Sequence, residues 1–258
     1  MSGPAARHQA GGLVFDCDGV LADTTPCWEE AFSGVAAEFG LALRRDQLAA
    51  LRGAALVTAA RRMAGWSCRP VAAEEVLKAL REQLVASIAA AELTLIEGVR
   101  ELLEEFHGVV RLGVASNSPR AVLRHILARL EITGYFAAVI SAEDVARPKP
   151  APDPYLAACR ALRVDPRLSF AIEDSQIGVR SAIAAGLAVI ELTDSPAPSA
   201  DHDGPGSALR VRSLADRRIR RLILGPAAAS PERPPAATAP ADGTGPQPPN
   251  PRARKVIP

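Results

Sequence analysis

With 258 residues, 48% of them hydrophobic and 23% charged, the chain carries enough apolar material for one substantial core or two modest ones. Its formal net charge of +1 provides no global field toward nucleic acid or an acidic membrane surface, so any anion it binds must be held locally. Four cysteines, Cys17, Cys27, Cys68 and Cys159, form no CxxC pair and suit neither a zinc site nor a disulfide scaffold, and reduced thiols are expected.

Residues 1–11 show no apolar run and are expected to be disordered. Leu13-Val14-Phe15 then reads as a buried strand that ends in Asp16 and feeds a tight turn at Gly19. Thr25 and Pro26 look like the N-cap and first position of a helix carrying Trp28, Phe32, Val35, Ala36 and Phe39 on one face. Further helical patterns cover about 46–51, 56–63 and 74–91, so residues 24–94 are expected to form an all-helical block. After Gly98 the pattern alternates. A helix reaches Phe106, Val109 to Ala115 is a strand, and Pro119 opens a helix through Leu130. Ala137 to Ile140 is a strand, Tyr155 to Leu162 a helix, Leu168 to Ile172 a strand, 177–185 a helix and 187–192 a strand.

Strand and helix alternation with near-continuous apolar strands predicts an α/β fold: a Rossmann-like parallel sheet, residues 12–23 and 95–225, with the helical block inserted as a cap domain. Beyond about Gly225 the composition collapses into Pro, Ala, Gly and Thr. Residues 226–258 are therefore expected to be a flexible tail, with a docking peptide near Pro246 to Pro251 as the alternative. No segment approaches membrane-spanning length, so a cytoplasmic protein is expected.

Ligands on parallel sheets bind beyond the carboxyl ends of the strands, where this sequence gathers its polar residues. Asp16 and Asp18 follow one strand, Ser116-Asn117-Ser118 a second and Glu173-Asp174 a third, with Lys149 arriving from a loop stiffened by Pro148 and Pro150. Carboxylates converging on one spot repel one another, and a hard cation such as Mg²⁺ stabilises them. That cation and Lys149 would neutralise a phosphoryl group enough for an ionised carboxylate to attack phosphorus. Hydroxyls and free backbone N–H groups before the helix at Pro119 would meet phosphate. Each piece has a plainer reading as a turn, a cap or a surface lysine; their joint occurrence on successive strand ends is what carries the argument. Cys17 lacks the phosphate loop of a cysteine nucleophile, His8, His107, His125 and His202 form no metal or triad pattern, and Trp28 reads as a core residue.

The same residues resemble the haloacid dehalogenase superfamily, in its β-phosphoglucomutase-like phosphatase branch. Phe15-Asp16-Cys17-Asp18-Gly19 with Asp23 matches the first motif, Ala115-Ser116-Asn117-Ser118 the second, Arg147 through Tyr155 the third, and Ile172-Glu173-Asp174-Ser175 with Gly178 and Gly186 the fourth. The resemblance implies Asp16 as nucleophile and metal ligand, and Asp18 as general acid/base that also offers its backbone carbonyl to Mg²⁺. It implies Asp174 with Glu173 in the metal site, and Ser116, Asn117 and Lys149 around the phosphoryl group. Trp28 stands where the mutases have a cap histidine, and Leu56 where they have a cap arginine. The expected activity is hydrolysis of a small phosphorylated metabolite, with Arg52 as a substrate residue. The alternatives are a sugar-phosphate mutase and a non-catalytic phosphate-binding regulator.

Overall fold

The computed structural model describes residues 11–67, 69–193 and 207–225. The expectations for residues 1–10, Cys68, His202 and the tail 226–258 lie outside the described residues. Gly11 donates its N–H to the carbonyl of Leu168 at 2.9 Å and so belongs to the packed structure.

Six parallel strands form one sheet: β1 (Gly12–Phe15), β2 (Arg111–Ala115), β3 (Ala138–Ile140), β4 (Phe170–Glu173), β5 (Ala188–Leu192) and β6 (Ser207–Val211), in the order β3-β2-β1-β4-β5-β6. The chain leaves β1 toward one edge and later returns to its other side. The carboxyl ends of β1 and β4 therefore flank the point where the winding reverses, the place where such sheets open a crevice. Register fixes what meets there. Phe15 pairs with Val114 on one side and Ile172 on the other, which sets Asp16 between the residues that follow β2 and the acidic end of β4.

Alternation along β1 divides the core. Leu13 and Phe15 point into a large cluster on one face, and Val14 into a second on the other, as expected of strands covered on both sides. The first face is covered by α5 (Val99–Phe106), α6 (Arg120–Arg129) and α9 (Arg217–Leu224). The second is covered by α7 (Asp153–Leu162) and α8 (Gln176–Ala184). Between β1 and β2 the chain builds α1 (Thr25–Glu38), α2 (Arg45–Leu51), α3 (Leu56–Trp66) and α4 (Ala73–Ala90), in which α4 packs against both α1 and α3.

Several boundaries differ from the sequence reading. The helix ladder of α1 begins at the carbonyl of Thr24, which accepts the N–H groups of Cys27 and Trp28, so Thr24 and not Thr25 is the N-cap. The hydroxyl of Thr24 makes no capping bond, because it is turned toward Asp18. Val109 lies in the turn after Gly108, 57% exposed, and the strand starts only at Arg111. Pro119 is the N-cap of α6 and does not occupy its first turn. Strand β6 and helix α9 were not anticipated. In Ser207–Val211 an arginine interrupts a short apolar run, and in α9 four arginines surround the buried Ile219 and Ile223, although Asp216 capping the N–H of Arg218 at 2.8 Å was a readable start signal.

Gly98 ties the start of α5 to the segment before α9. Its φ is +86°, and an added Cβ would lie 2.4 Å from the backbone nitrogen of Ala215, an atom that cannot swing aside. Gly98→Ala should therefore cost about 2–5 kcal/mol in urea unfolding, from left-handed strain plus overpacking. Gly134→Ala, with nothing within 4 Å of its added methyl, should unfold almost as the unaltered protein does.

Candidate active site

Each strand end delivers its side chains because the apolar run behind it anchors the backbone. Asp16 follows β1 directly, and its N–H donates to the carbonyl of Ile172 in β4 at 3.0 Å, so the first residue past the strand is still held by the sheet. Lys149 reaches Asp16 from the loop before α7. Its ammonium donates to Asp16 Oδ1 and to Glu173 Oε1, each at 2.5 Å, and all three residues are buried.

The loop is held in place by Asn117. Its side-chain carbonyl accepts the N–H of Lys149 at 2.9 Å, and its NH₂ donates to the carbonyl of Lys149 at 3.2 Å and to that of Gly53 at 2.7 Å. Asn117, expected against phosphate, thus spends its amide on joining the lysine loop to the helical block. Its sequence separation from Gly53, 64 residues, made this partner invisible beforehand.

Glu173 is filled by the protein itself. Oε1 accepts Lys149 and the hydroxyl of Tyr155 at 2.6 Å, while Oε2 accepts the N–H and hydroxyl of Ser175. Tyr155 also presents its ring to the ammonium, 4.9 Å from its centroid. Neither that hydroxyl nor that ring was singled out by sequence reasoning. A buried aromatic on an amphipathic helix looks like ordinary core, and only its distance to Glu173 reveals the polar role.

Asp18 faces a different way. Oδ1 accepts the hydroxyl of Thr24 at 2.6 Å and the indole N–H of Trp28 at 2.9 Å; Oδ2 accepts the hydroxyls of Ser116 at 3.1 Å and Ser118 at 2.6 Å. Ser118 is thus not a helix cap, and Ser116 is bound to Asp18 while its oxygen accepts the N–H of Ser118 at 2.9 Å. Trp28, read as core, is only half-buried and carries a hydrogen bond to the site. Arg52 stands on the cavity wall, paired with Glu29 at 2.7 Å.

Electrostatically the site is unbalanced: the carboxylates of Asp16, Asp18, Glu173 and Asp174 share one ammonium, Lys149. Burial opposes the charge on Lys149, but Asp16 and Glu173 outweigh it and hold the ammonium well above the ordinary lysine range. Burial raises the Asp16 carboxyl well above its usual value; Lys149 opposes the shift and the neighbouring carboxylates reinforce it. Asp174 opens onto the cavity, yet partial burial and then Glu173 push it up to about 7. The backbone at Gly19 makes room for it: φ is +82°, and a Cβ there would sit 2.1 Å from Asp174 Oδ2.

Oxygen atoms of Asp16, Glu173 and Asp174 lie within 4.8 Å of one another. Hard oxygen donors with surplus negative charge fit a divalent cation, which would lower the raised carboxyls again. Asp16 and Asp174 have oxygens to give it, whereas those of Glu173 are already occupied. A cavity of about 1090 Å³ opens above this floor and is lined on its far side by residues of the helical block, among them Trp28, Phe32 and Arg52.

Residues 13–192 match the family model described as haloacid dehalogenase-like hydrolase. The chain belongs to that family. It is 30% identical over 185 residues to the fructose-1-phosphate phosphatase YqaB of Escherichia coli, covering 70% of this chain and 95% of that protein. It is 36% identical over 183 residues to hexitol phosphatase A of the same organism, covering 69% and 81%. Among solved structures, a mutant of CbbY from Rhodobacter sphaeroides in complex with xylulose-1,5-bisphosphate superimposes with a TM-score of 0.69 at 26% identity, covering 80% of this chain and 96% of that one. This haloacid dehalogenase-like chain is accordingly a phosphatase, built on the parallel α/β fold of its family. Among the described residues no helix is long and apolar enough to cross a membrane.

Asp174 gives a pH signature. Its folded value of about 7 lies above the unfolded 3.8, so the folded state holds the proton more tightly and ionisation costs stability. That cost grows as pH rises from about 4 to about 7 and is constant above. Metal-free protein should therefore melt at a lower temperature at pH 8 than at pH 5.5, Asp174→Asn should flatten the difference, and Mg²⁺ should raise Tm more at pH 8 than at pH 5.5.

Proposed function

We propose that this phosphatase hydrolyses a small phosphomonoester, a sugar phosphate or similar metabolite, through an aspartyl-phosphate on Asp16 in the presence of Mg²⁺. The reading is carried by Asp16, set at the end of β1 with Lys149 at 2.5 Å and the oxygens of Glu173 and Asp174 within 4.8 Å. The relatives named as sugar-phosphate and hexitol phosphatases support the substrate class. The proposed division of the chain is a core of residues 12–23 and 95–225 with a cap of residues 24–94, which shields the reaction from bulk water.

Asp16, Asp174 and the backbone carbonyl of Asp18 would hold Mg²⁺, which when bound supplies positive charge to the carboxylates and to the phosphoryl oxygens. The rest is done by side chains. Lys149 neutralises a phosphoryl oxygen and orients Asp16, and the Glu173–Tyr155 pair fixes the ammonium. Ser116 and the N–H groups at the start of the following helix meet the remaining phosphoryl oxygens. A carboxylate oxygen of Asp16 bonds to phosphorus as the bond from phosphorus to the ester oxygen breaks, and Asp18, which takes up a proton from solvent on leaving its present donors, gives that proton to the departing alcohol. Asp18 then takes a proton from water, whose oxygen bonds to phosphorus while the bond to Asp16 breaks. Inorganic phosphate leaves and Asp16 is restored.

For that work Asp18 must turn from its present donors toward the leaving oxygen. Thr24, Trp28, Ser116 and Ser118 determine how readily it does so.

Asp16→Asn should lower kcat by about 10⁴-fold or more. Its Tm should stay near or above that of the unaltered protein, since one of several repelling buried carboxylates is removed; near-normal turnover would remove the proposal. Trp28→Phe keeps the ring but loses the N–H to Asp18. Because that bond holds Asp18 in its present direction, its loss should raise kcat about 2- to 10-fold, the net scale of one hydrogen bond, as read by steady-state phosphate release.

A further inference from the structure

The cavity is far larger than a phosphate group, so its outer wall must meet the rest of the ester. Two features of that wall belong to α1 and the turn after α2. Trp28 presents a half-buried ring, backed by the buried ring of Phe32 with centroids 5.7 Å apart. Beside them Glu29 accepts a hydrogen bond from Arg52 at 2.7 Å, and both side chains keep exposed area, 36% and 62%, toward the cavity and solvent. Away from the carboxylate floor, the lining carries three carboxylates, Asp23, Glu29 and Glu97, and three guanidinium groups, Arg52, Arg62 and Arg212. Arg62 is also tied down, donating to the carbonyl of Ala50.

The geometry points to a specificity filter: the outer wall selects phosphate monoesters of polyhydroxylated, otherwise uncharged carbon chains, and the Glu29–Arg52 pair rejects a second phosphate. This rests on the phosphatase reading above and narrows its substrate class. A sugar or alditol chain is amphipathic: its C–H faces pack on an aromatic surface, and its hydroxyls both donate to a carboxylate and accept from a guanidinium. An intact Glu–Arg pair offers both halves of that recognition with no net charge. A second phosphate needs an uncommitted cation. Here Arg52 is already matched by Glu29, whose charge would repel the incoming anion, and the two further guanidinium groups of the lining are balanced in number by Asp23 and Glu97.

The test compares fructose 1-phosphate with fructose 1,6-bisphosphate, which share a carbon skeleton and differ by one distal phosphate. For the unaltered protein, kcat/KM should favour the monophosphate by about tenfold or more, the scale of a like-charge clash at a partly screened site. Glu29→Gln releases Arg52 and should narrow that ratio at least about fivefold, chiefly by raising kcat/KM for the bisphosphate. Its Tm should stay close to that of the unaltered protein, because exposed ion pairs contribute little to stability. Calorimetric Kd values for both esters on Asp16→Asn protein should show the same preference without turnover, which separates selection at the wall from the chemistry at Asp16. Equal or better binding of the bisphosphate, or a preference that Glu29→Gln leaves unchanged, would overturn the filter. Absence of turnover with the binding preference intact would instead count against the catalytic reading.

Discussion

The structure is organised around one ammonium in a pocket of carboxylates. Lys149 bridges Asp16 and Glu173 at 2.5 Å each, fully enclosed, and the surrounding elements serve to make that bridge tolerable. Parallel pairing of β1 with β4 brings the two acids side by side, the loop before α7 brings the lysine, Tyr155 closes it from one side and Asn117 fixes the loop backbone. Such a buried cluster is no gift to stability, since desolvation offsets most of the attraction. Its retention makes sense as pre-organisation: positive charge is fixed where a phosphoryl group would sit, and the surplus of negative charge is left for a cation to balance.

The helical block and the sheet are joined through the same residues that form the site. Asn117 reaches the carbonyl of Gly53, and Asp18 accepts Thr24 and Trp28 from the start of α1. Any swing of the block away from the sheet must therefore break hydrogen bonds to the Asp18 side chain and to the lysine loop on which the proposed chemistry depends. Access to the cavity and the arrangement of Asp18 are consequently one variable, coupled by bonds of 2.6–2.9 Å.

How much of this could be read beforehand depended on what a pattern encodes. β1, β2, β4 and β5 were legible because strands buried on both faces must be continuously apolar, and the charged residues at their ends then stood out as positioned. β6 and α9 were not, since arginines at their exposed positions diluted the apolar signal. Within the site, the acids and Lys149 were legible by residue type. Trp28 and Tyr155 were not, because an aromatic residue at helical spacing satisfies the core pattern whether or not its polar atom has a partner. Asn117 and Arg52 were legible as polar residues lining the cavity, but their partners distant in sequence, Gly53 and Glu29, were not.

The charge distribution also bears on hydrolysis against mutation. A phosphomutase must hold its substrate through a doubly phosphorylated intermediate, so it needs net positive charge at the far end of the cavity as well as at the floor. Here the far wall is balanced, three acids against three arginines, and Trp28 adds no charge to it. Trp28 gives its indole N–H to Asp18. In the proposed reaction, a cavity with phosphate held at the floor and a neutral far end would hold a monoester by its phosphate, and an alcohol released there would have no second charge to retain it while water completes the reaction.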